Sequence, residues 1–368
     1  MNQRTRTSDY MYWAKTHPSP RFNLATSGVP NFLMKDFPAK IEDLEITGGG
    51  YGYWPLLEAI ANKSNAKAEN IALAFGTSMA NHLAMAALID NDNEVLFEHP
   101  VYEPMVSTAQ FLGAKVSFFE RRHEDGFRID PGEIKKKIGP QTKLIVVTNL
   151  HNPSSVFTDN ETLKEIGAIA ENVGARVLVD EVYLDVMFEE APQSSFHLGE
   201  NFLVTNSLTK AYGLSGLRCG WVLANKELVQ RIRRLNDLFG STNVHVAERL
   251  SLIALENLSL FRERARKLLE ANRLLLNEFF DSRSDLEVVR TKHGTISFPR
   301  LLNQDPNKLF SLLREKYETT VVPGEFFGLD QHFRLGIACD MEMLKGGLER
   351  LGAALDEIAQ GKLSLYQN

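Results

Sequence analysis

Ser207-Leu208-Thr209-Lys210-Ala211-Tyr212-Gly213-Leu214-Ser215-Gly216-Leu217-Arg218-Cys219-Gly220-Trp221 joins two apolar runs, Phe202 to Thr205 before it and Trp221 to Ala224 after it. Each run reads as a buried strand. The connection is too short for the helical crossover that parallel neighbours need, so the two strands are expected to be antiparallel. Between them the chain places hydroxyls, one lysine, one arginine and glycines that allow tight turns and close approach to a ligand. Ser207, Thr209 and Arg218 can converge on a dianionic phosphate, with the planar guanidinium as a multi-donor clamp. Lys210 then stands beside that phosphate, where an amine is tuned for covalent work. A solvated Gly-rich loop is the plain alternative, and the rest of the chain has to decide between them.

Four further apolar runs end in polar clusters. Ile71 to Phe75 feeds Gly76-Thr77-Ser78 at the start of an Ala/Met/Leu-rich helix expected to reach about Ile89. Free N–H groups and the helix dipole make that junction an anion site, although Thr and Ser are also ordinary caps. Val95 to Glu98 ends in His99-Pro100-Val101-Tyr102, which sets an aromatic just past a strand end, where a flat ring can stack. Lys143 to Thr148 is apolar almost throughout, as a central parallel strand is, and leads into Asn149-Leu150-His151-Asn152-Pro153-Ser154-Ser155. Thr158-x-x-Glu161 is a capping-box pattern opening a helix that Gly174 ends. Arg176 to Val179 follows, with Asp180-Glu181-Val182-Tyr183 at its end. This alternation predicts an α/β fold, a doubly wound and mostly parallel sheet with its ligand at the carboxyl strand ends. Asn152, Asp180, Tyr183 and Lys210 therefore fall on one rim. His151 reads as a supporting or structural residue beside them.

The 368 residues carry a formal net charge of −6, which argues against a nucleic-acid surface. The two cysteines, Cys219 and Cys339, are far apart and lack metal-ligand spacing, so neither a disulfide framework nor a metal site is expected. Met1 to Tyr10 is polar, without the apolar core of a signal peptide, and no run is long enough to cross a bilayer. A cytoplasmic enzyme without a membrane partner is the expectation. The charged run Glu120 to Asp125 reads as a solvated turn.

Residues before Asn23 mix aromatics with Pro18 and Pro20 and read as a docking arm. Phe22 to Pro30 is a short extended segment ending in Gly28-Val29-Pro30. Gly48-Gly49-Gly50-Tyr51-Gly52-Tyr53 precedes a helix starting near Pro55. After Trp221 the pattern turns helical, with a long amphipathic helix over Ser259 to Phe280. Strands follow at Leu286 to Val289 and Thr295 to Phe298, then a helix near Asn307 to Tyr317. In the last strand, Phe333 to Ala338, period two sets Phe333, Leu335 and Ile337 toward the core and Arg334, Gly336 and Ala338 on the other face. An arginine with only glycine and alanine beside it has the open space a carboxylate receptor needs.

The run from Ser207 to Gly220 resembles the Schiff-base motif of the class I/II aminotransferases, fold-type I enzymes dependent on pyridoxal 5'-phosphate (PLP). Similar motifs occur in order from about Asn23 to Ala338. The resemblance implies that Lys210 holds PLP as an imine, that Gly76-Thr77-Ser78, Ser207, Thr209 and Arg218 hold its phosphate, and that Tyr102 stacks on its ring. It further implies Asp180 against the pyridine nitrogen and Asn152 with Tyr183 on the ring oxygen. Ser154-Ser155 departs from the family's Thr-Gly. Arg334 is implied as the substrate carboxylate receptor, with Gly28 and Val29 lining the pocket and Asn152 touching the substrate. Tyr51, or else Tyr53, is implied to reach the partner's phosphate in a homodimer with the active site at its interface. The implied domains are a large PLP-binding domain, 46–268, and a smaller α/β domain from both chain ends, 1–45 with 269–368.

The expected function is an aminotransferase moving an amino group between an L-amino acid and a 2-oxo acid, with Lys210, Asp180 and Tyr183 as its catalytic groups. A PLP-dependent lyase, decarboxylase or cyclase on the same scaffold is the alternative, because the parts that bind PLP do not fix which bond breaks. A non-catalytic binding protein leaves the charged constellation without a use.

Overall fold

In a computed structural model of the protein, residues 7–16, 20–48 and 50–361 are described; Pro18 and Gly49 lie outside them. Seven strands form the central sheet: β1 (Ile71–Phe75), β2 (Glu94–His99), β3 (Lys115–Glu120), β4 (Thr142–Thr148), β5 (Arg176–Asp180), β6 (Phe202–Ser207) and β7 (Cys219–Leu223). Their spatial order is β1-β7-β6-β5-β4-β2-β3, parallel except for β7, which runs antiparallel to both of its neighbours. The mostly parallel doubly wound layer and the antiparallel pair around Lys210 are as the sequence predicts. Both sheet faces are buried, which is why β4 to β6 read as continuous apolar runs.

One consequence of β7's reversal is local to the site. Because β7 enters at the rim where β1 and β6 leave, Arg218 comes to the same edge as Gly76 and Lys210. Ser207 pairs with Gly220, and Phe75 with Cys219. A side chain at Gly220 would run into the backbone of Gly76, so the two chains can approach this closely only with glycine there.

Helix α1 (Asp9–Thr16) lies near the amino end and packs through Tyr10 and Trp13 on Tyr102 and Phe326, and α2 (Gly76–Ala86) leaves β1, ending short of the expected Ile89. The long helix α3 (Leu258–Asp281) matches its expected span. The chain ends are tied together: Phe22–Asn23 pairs in parallel with Thr319–Thr320, and Ile296–Ser297 pairs with β8 (Phe333–Gly336) ahead of helix α4 (Met341–Ala359). These late strands are shorter than the apolar runs suggest; Leu286–Glu287 and Ile296–Ser297 hold two residues each. Both cysteines are free and buried, and among the described residues no group of side chains could hold a metal ion and no helix is long and apolar enough to cross a membrane.

Three local expectations are corrected. The helix after β4 is capped by Asp159, whose carboxylate accepts from Thr162 N at 2.8 Å, and Thr158 is instead held by Asn149. The run from Glu120 to Asp125 is not wholly solvated, since Arg121 forms a fully buried pair with Glu98 at 2.6 Å. Arg121 also donates to Phe127 O, so its desolvation is offset by several polar partners. Finally, the space beside Arg334 is filled: a side chain at Gly336 would meet the carbonyl oxygen of Thr26, and Gly336 N donates to Leu24 O at 2.7 Å. The glycine admits another chain segment there, not a ligand.

The Ser154-Ser155 departure has a physical account. Ser155 takes φ 63°, a region that glycine tolerates best. Its hydroxyl donates to Ile296 O at 2.8 Å, and the absence of a side chain at Gly294 leaves room for it.

Candidate active site

The rim of β1, β2, β4, β5, β6 and β7 opens into two cavities that share Tyr10, Ser27, Thr209, Lys210 and Ser215. The inner chamber, about 350 Å³, is lined by Thr77, Ser78, Tyr102, Asn152, Asp180, Tyr183 and Arg218. The outer chamber, about 540 Å³, runs past Gly28 and Val29 toward the start of α4. Lys210 lies where the two meet. The sequence-predicted residues Gly76, Thr77, Ser78, Tyr102, Asn152, Asp180, Tyr183, Ser207, Thr209, Lys210 and Arg218 are thus brought to one rim.

Lys210 Nζ donates to Ser27 Oγ at 2.9 Å. Burial, then the nearby Arg334 guanidinium, lowers its pKa to about 8, with Asp180 opposing. A sizeable neutral fraction near physiological pH makes this amine a usable nucleophile and base. Gly28 presses on the lysine: an added Cβ would stand 3.1 Å from Lys210 Cδ, and Val29 N donates to Lys210 O at 2.9 Å.

Asp180 accepts from Asn81 Nδ2 at 2.8 Å and from Val182 N at 3.0 Å. Burial dominates and pushes its pKa up to about 6, against those hydrogen bonds and Lys210. A buried carboxylate in that condition is stabilised by a cation placed against it. Tyr183 is buried, and burial pushes its phenol up to about 12; the Ser27 hydroxyl bonds it as well as Lys210. Burial likewise raises Tyr102, whose ring meets Tyr10 edge-on at 5.3 Å. His151 is structural, as expected: Nε2 donates to Pro100 O at 2.9 Å, so Nδ1 accepts from Ser154 Oγ at 2.6 Å.

At the other end of the inner chamber, Thr77 Oγ1 bonds Ser207 Oγ at 2.8 Å. The Arg218 guanidinium donates only to carbonyls, Phe75 O at 3.0 Å and Ser215 O at 3.3 Å, and pairs with no carboxylate among the described residues. Gly76 has φ +75°, and a side chain on it would collide with that guanidinium. A helix start, hydroxyls and an unneutralised arginine around a glycine cradle fit a phosphate. A carboxylate, an amine and an aromatic on the same chamber fit the ring and carbonyl of PLP.

Arg334 is buried, with 1% exposure, and no carboxylate neutralises it among the described residues. Its Nη1 donates to Asn152 Oδ1 at 3.1 Å, and its Nη2 to Tyr10 Oη at 2.8 Å and Ala25 O at 3.1 Å. Nε has no partner. A fully desolvated guanidinium with a spare donor is an anion receptor in waiting. Tyr51 is exposed and bonds Asp237 at 3.1 Å, whereas Tyr53 is engaged within the chain by Arg249 at 2.5 Å.

Three site residues escaped the sequence reading. Ser27 and Tyr10 carry no local pattern that distinguishes them. Asn81 does leave a signal, a lone amide in an apolar helix; its Oδ1 accepts from Thr205 at 2.6 Å while its Nδ2 orients Asp180.

A model of the family described as Aminotransferase class I and II matches residues 26–351. Capreomycidine synthase of Streptomyces vinaceus is 27% identical over 355 residues, covering 92% of this chain and 91% of its own. A probable aspartate/prephenate aminotransferase of Aquifex aeolicus is 28% identical over 357 residues, covering 90% of each. Among solved structures, a PLP-dependent aminotransferase from Streptococcus suis superimposes with a TM-score of 0.90 at 26% identity, over 97% of this chain and 99% of that one. With a family match over most of its length and a rim built for the family's cofactor, the chain belongs to the class I and II aminotransferases and is a PLP-dependent enzyme.

Proposed function

We propose that Arg334 receives the α-carboxylate of an L-amino acid at the junction of the two chambers, and that Lys210 moves the proton at its α-carbon. The observation that carries this reading is a buried guanidinium without a counter-ion among the described residues, which bonds Asn152 of the inner chamber and Tyr10 of both chambers. PLP bound in the inner chamber supplies an electron sink for charge developing at the substrate α-carbon. Gly76, Thr77, Ser78, Ser207, Thr209 and Arg218 would hold its phosphate, and Lys210 would be its covalent anchor. Asp180, oriented by Asn81 and Val182 N, would favour the protonated form of its ring nitrogen. Asn152, whose Oδ1 accepts from Arg334, would donate through Nδ2 to the ring oxygen together with Tyr183. Tyr102 would pack against the ring. Lys210 Nζ, where the two chambers meet, would take the α-proton of the substrate.

Replacing Arg334 by Ala separates substrate binding from cofactor binding. Hydrogen bonds to charged groups contribute about 1.5–3 kcal/mol, so kcat/KM for amino acids should fall at least about tenfold while the cofactor spectrum stays nearly unchanged. Amines without a carboxylate should be comparatively indifferent. Equal losses for both, or loss of cofactor, would assign Arg334 to the scaffold. The similarity to a protein named a synthase keeps one other outcome in view: sustained turnover of one amino acid without an oxo acid acceptor would mean elimination, decarboxylation or cyclisation.

The domain division at 46–268, with 1–45 and 269–368, is supported by a seven-stranded sheet contained in 71–223 and by pairing of the chain ends. Limited proteolysis cutting first inside β1 to β7 would contradict it. A homodimer with Tyr51 directed at the partner's phosphate is supported by exposed apolar groups beside it. Tyr51 bonds Asp237, Leu238 and Phe239 follow, and the Phe239 ring lies 5.3 Å from His82. The holoenzyme is expected to sediment as a dimer, and a monomer at micromolar concentration would refute this.

A further inference from the structure

Asp180 at the end of β5 stands beside Thr205 of β6 in the parallel register, so both side chains leave the same face of the sheet. Asn81 comes down onto that face from α2, one amide among Ala80, Leu83, Ala84 and Met85. Its Nδ2 donates to Asp180 Oδ2 at 2.8 Å, and its Oδ1 accepts from Thr205 Oγ1 at 2.6 Å. All three residues are buried, Thr205 completely. An amide in such a place has two orientations. With its carbonyl toward Asp180 it would accept from a neutral carboxyl; with its amino group there, it donates to a carboxylate. The Thr205 hydroxyl decides between them, because Thr205 Oγ1 has no other hydrogen bond among the described residues. If the amide turned, the Thr205 proton would be buried without an acceptor.

We propose that Thr205 and Asn81 act together as positioning residues that set where a proton rests between Asp180 and the ring nitrogen of PLP. The amide, locked by the hydroxyl, donates to the carboxylate, weakens it as a base and leaves the proton on the nitrogen. The proposal rests on the reading that Asp180 meets that nitrogen. Burial works in the opposite direction and raises the Asp180 carboxyl to about 6, and the Asn81 bond is the largest influence opposing it. A plain anchoring of α2 to the sheet is the competing account, and the Thr205 hydroxyl separates the two.

PLP labelled with ¹⁵N in its ring and bound to the holoenzyme reports the proton directly, since pyridine and pyridinium nitrogens resonate far apart. In the wild type the signal should be that of a protonated ring. Thr205→Val keeps the shape and loses the hydroxyl, and Asn81→Leu loses the amide at similar volume; in both the signal should move toward the unprotonated position. Thr205→Ser should match the wild type. In cofactor-free protein, ¹³C NMR of the Asp180 carboxyl should show its midpoint raised by about one to two pH units in Asn81→Leu, the equivalent of one lost hydrogen bond to a charged group. Thr205→Val should raise it by less. An unprotonated ring in the wild type, or unmoved nitrogen and carboxyl signals in both variants, would overturn the proposal. Thr205→Ser displaced as far as Thr205→Val would overturn it too, because packing and not the hydroxyl would be responsible. Asp180→Asn reports separately on the underlying reading. If it leaves the ring as protonated as in the wild type, Asp180 does not meet the nitrogen and both statements fall. If it deprotonates the ring while the Thr205 and Asn81 variants do not, only the positioning role is wrong.

Discussion

Lys210→Ala should abolish transamination and yield no covalent cofactor adduct after borohydride reduction. Two functions are lost in one substitution. On the proposed reading Nζ is both the nucleophile that anchors the cofactor and the base that moves the α-proton, and base catalysis alone contributes typically about 10²- to 10⁴-fold. The surrounding phosphate cradle does not depend on this side chain, so the variant should still bind PLP non-covalently. In the wild-type apoprotein, burial and Arg334 leave the amine half-neutral at about pH 8. The rate of cofactor capture should accordingly rise with pH through that value. An adduct mapped by mass spectrometry to another lysine, or a capture midpoint near that of free lysine, would refute the assignment.

Asp180→Asn should lower turnover by about 10²- to 10³-fold with cofactor still bound, the scale seen when one preorganised electrostatic group is removed from a catalytic site. Asparagine is the better probe, because alanine would also strand the Asn81 amide that donates to Asp180 at 2.8 Å. A second readout is independent of activity. In cofactor-free protein the folded-state pKa of Asp180, about 6, lies above that of an unfolded carboxyl. Between about pH 4 and 6 the folded state binds more protons than the unfolded one, so this group makes stability fall as pH rises through that window. Removing the carboxyl should flatten that part of the stability profile. Near wild-type turnover, or an unaltered profile, would remove Asp180 from its role.

Most of the rim was legible in the sequence because strand ends in a parallel sheet are marked twice, by an apolar run and by the polar cluster that stops it. Gly76, Asp180 and Lys210 are all of this kind. The antiparallel β7 was legible because the connection from β6, eleven residues between Ser207 and Cys219, is too short for a crossover helix, and that reversal is what delivers Arg218. Contacts between distant segments were not. Gly336 was read as open space, yet Thr26 occupies it, since nothing in either segment specifies the other. Tyr10 bonds Arg334 across 324 positions, a relation that only the folded chain expresses. The capping box failed for a nearer reason: Asp159 is as good a cap as Thr158, and the buried Asn149 claims Thr158 first.

The hydrogen bond from Arg334 to Tyr10 also bears on how the protein is handled. Tyr10, Met11 and Trp13 wall the chambers from a helix that ends at Thr16, so this helix is part of the candidate site. A preparation clipped after that helix would keep the lysine, the phosphate cradle and the yellow colour by which such enzymes are judged intact. It would lack a wall of both chambers and one hydrogen-bond partner of Arg334, the proposed carboxylate receptor. Purity by colour and purity by intact mass would then diverge, and a mixed sample would present itself as two affinities for one substrate.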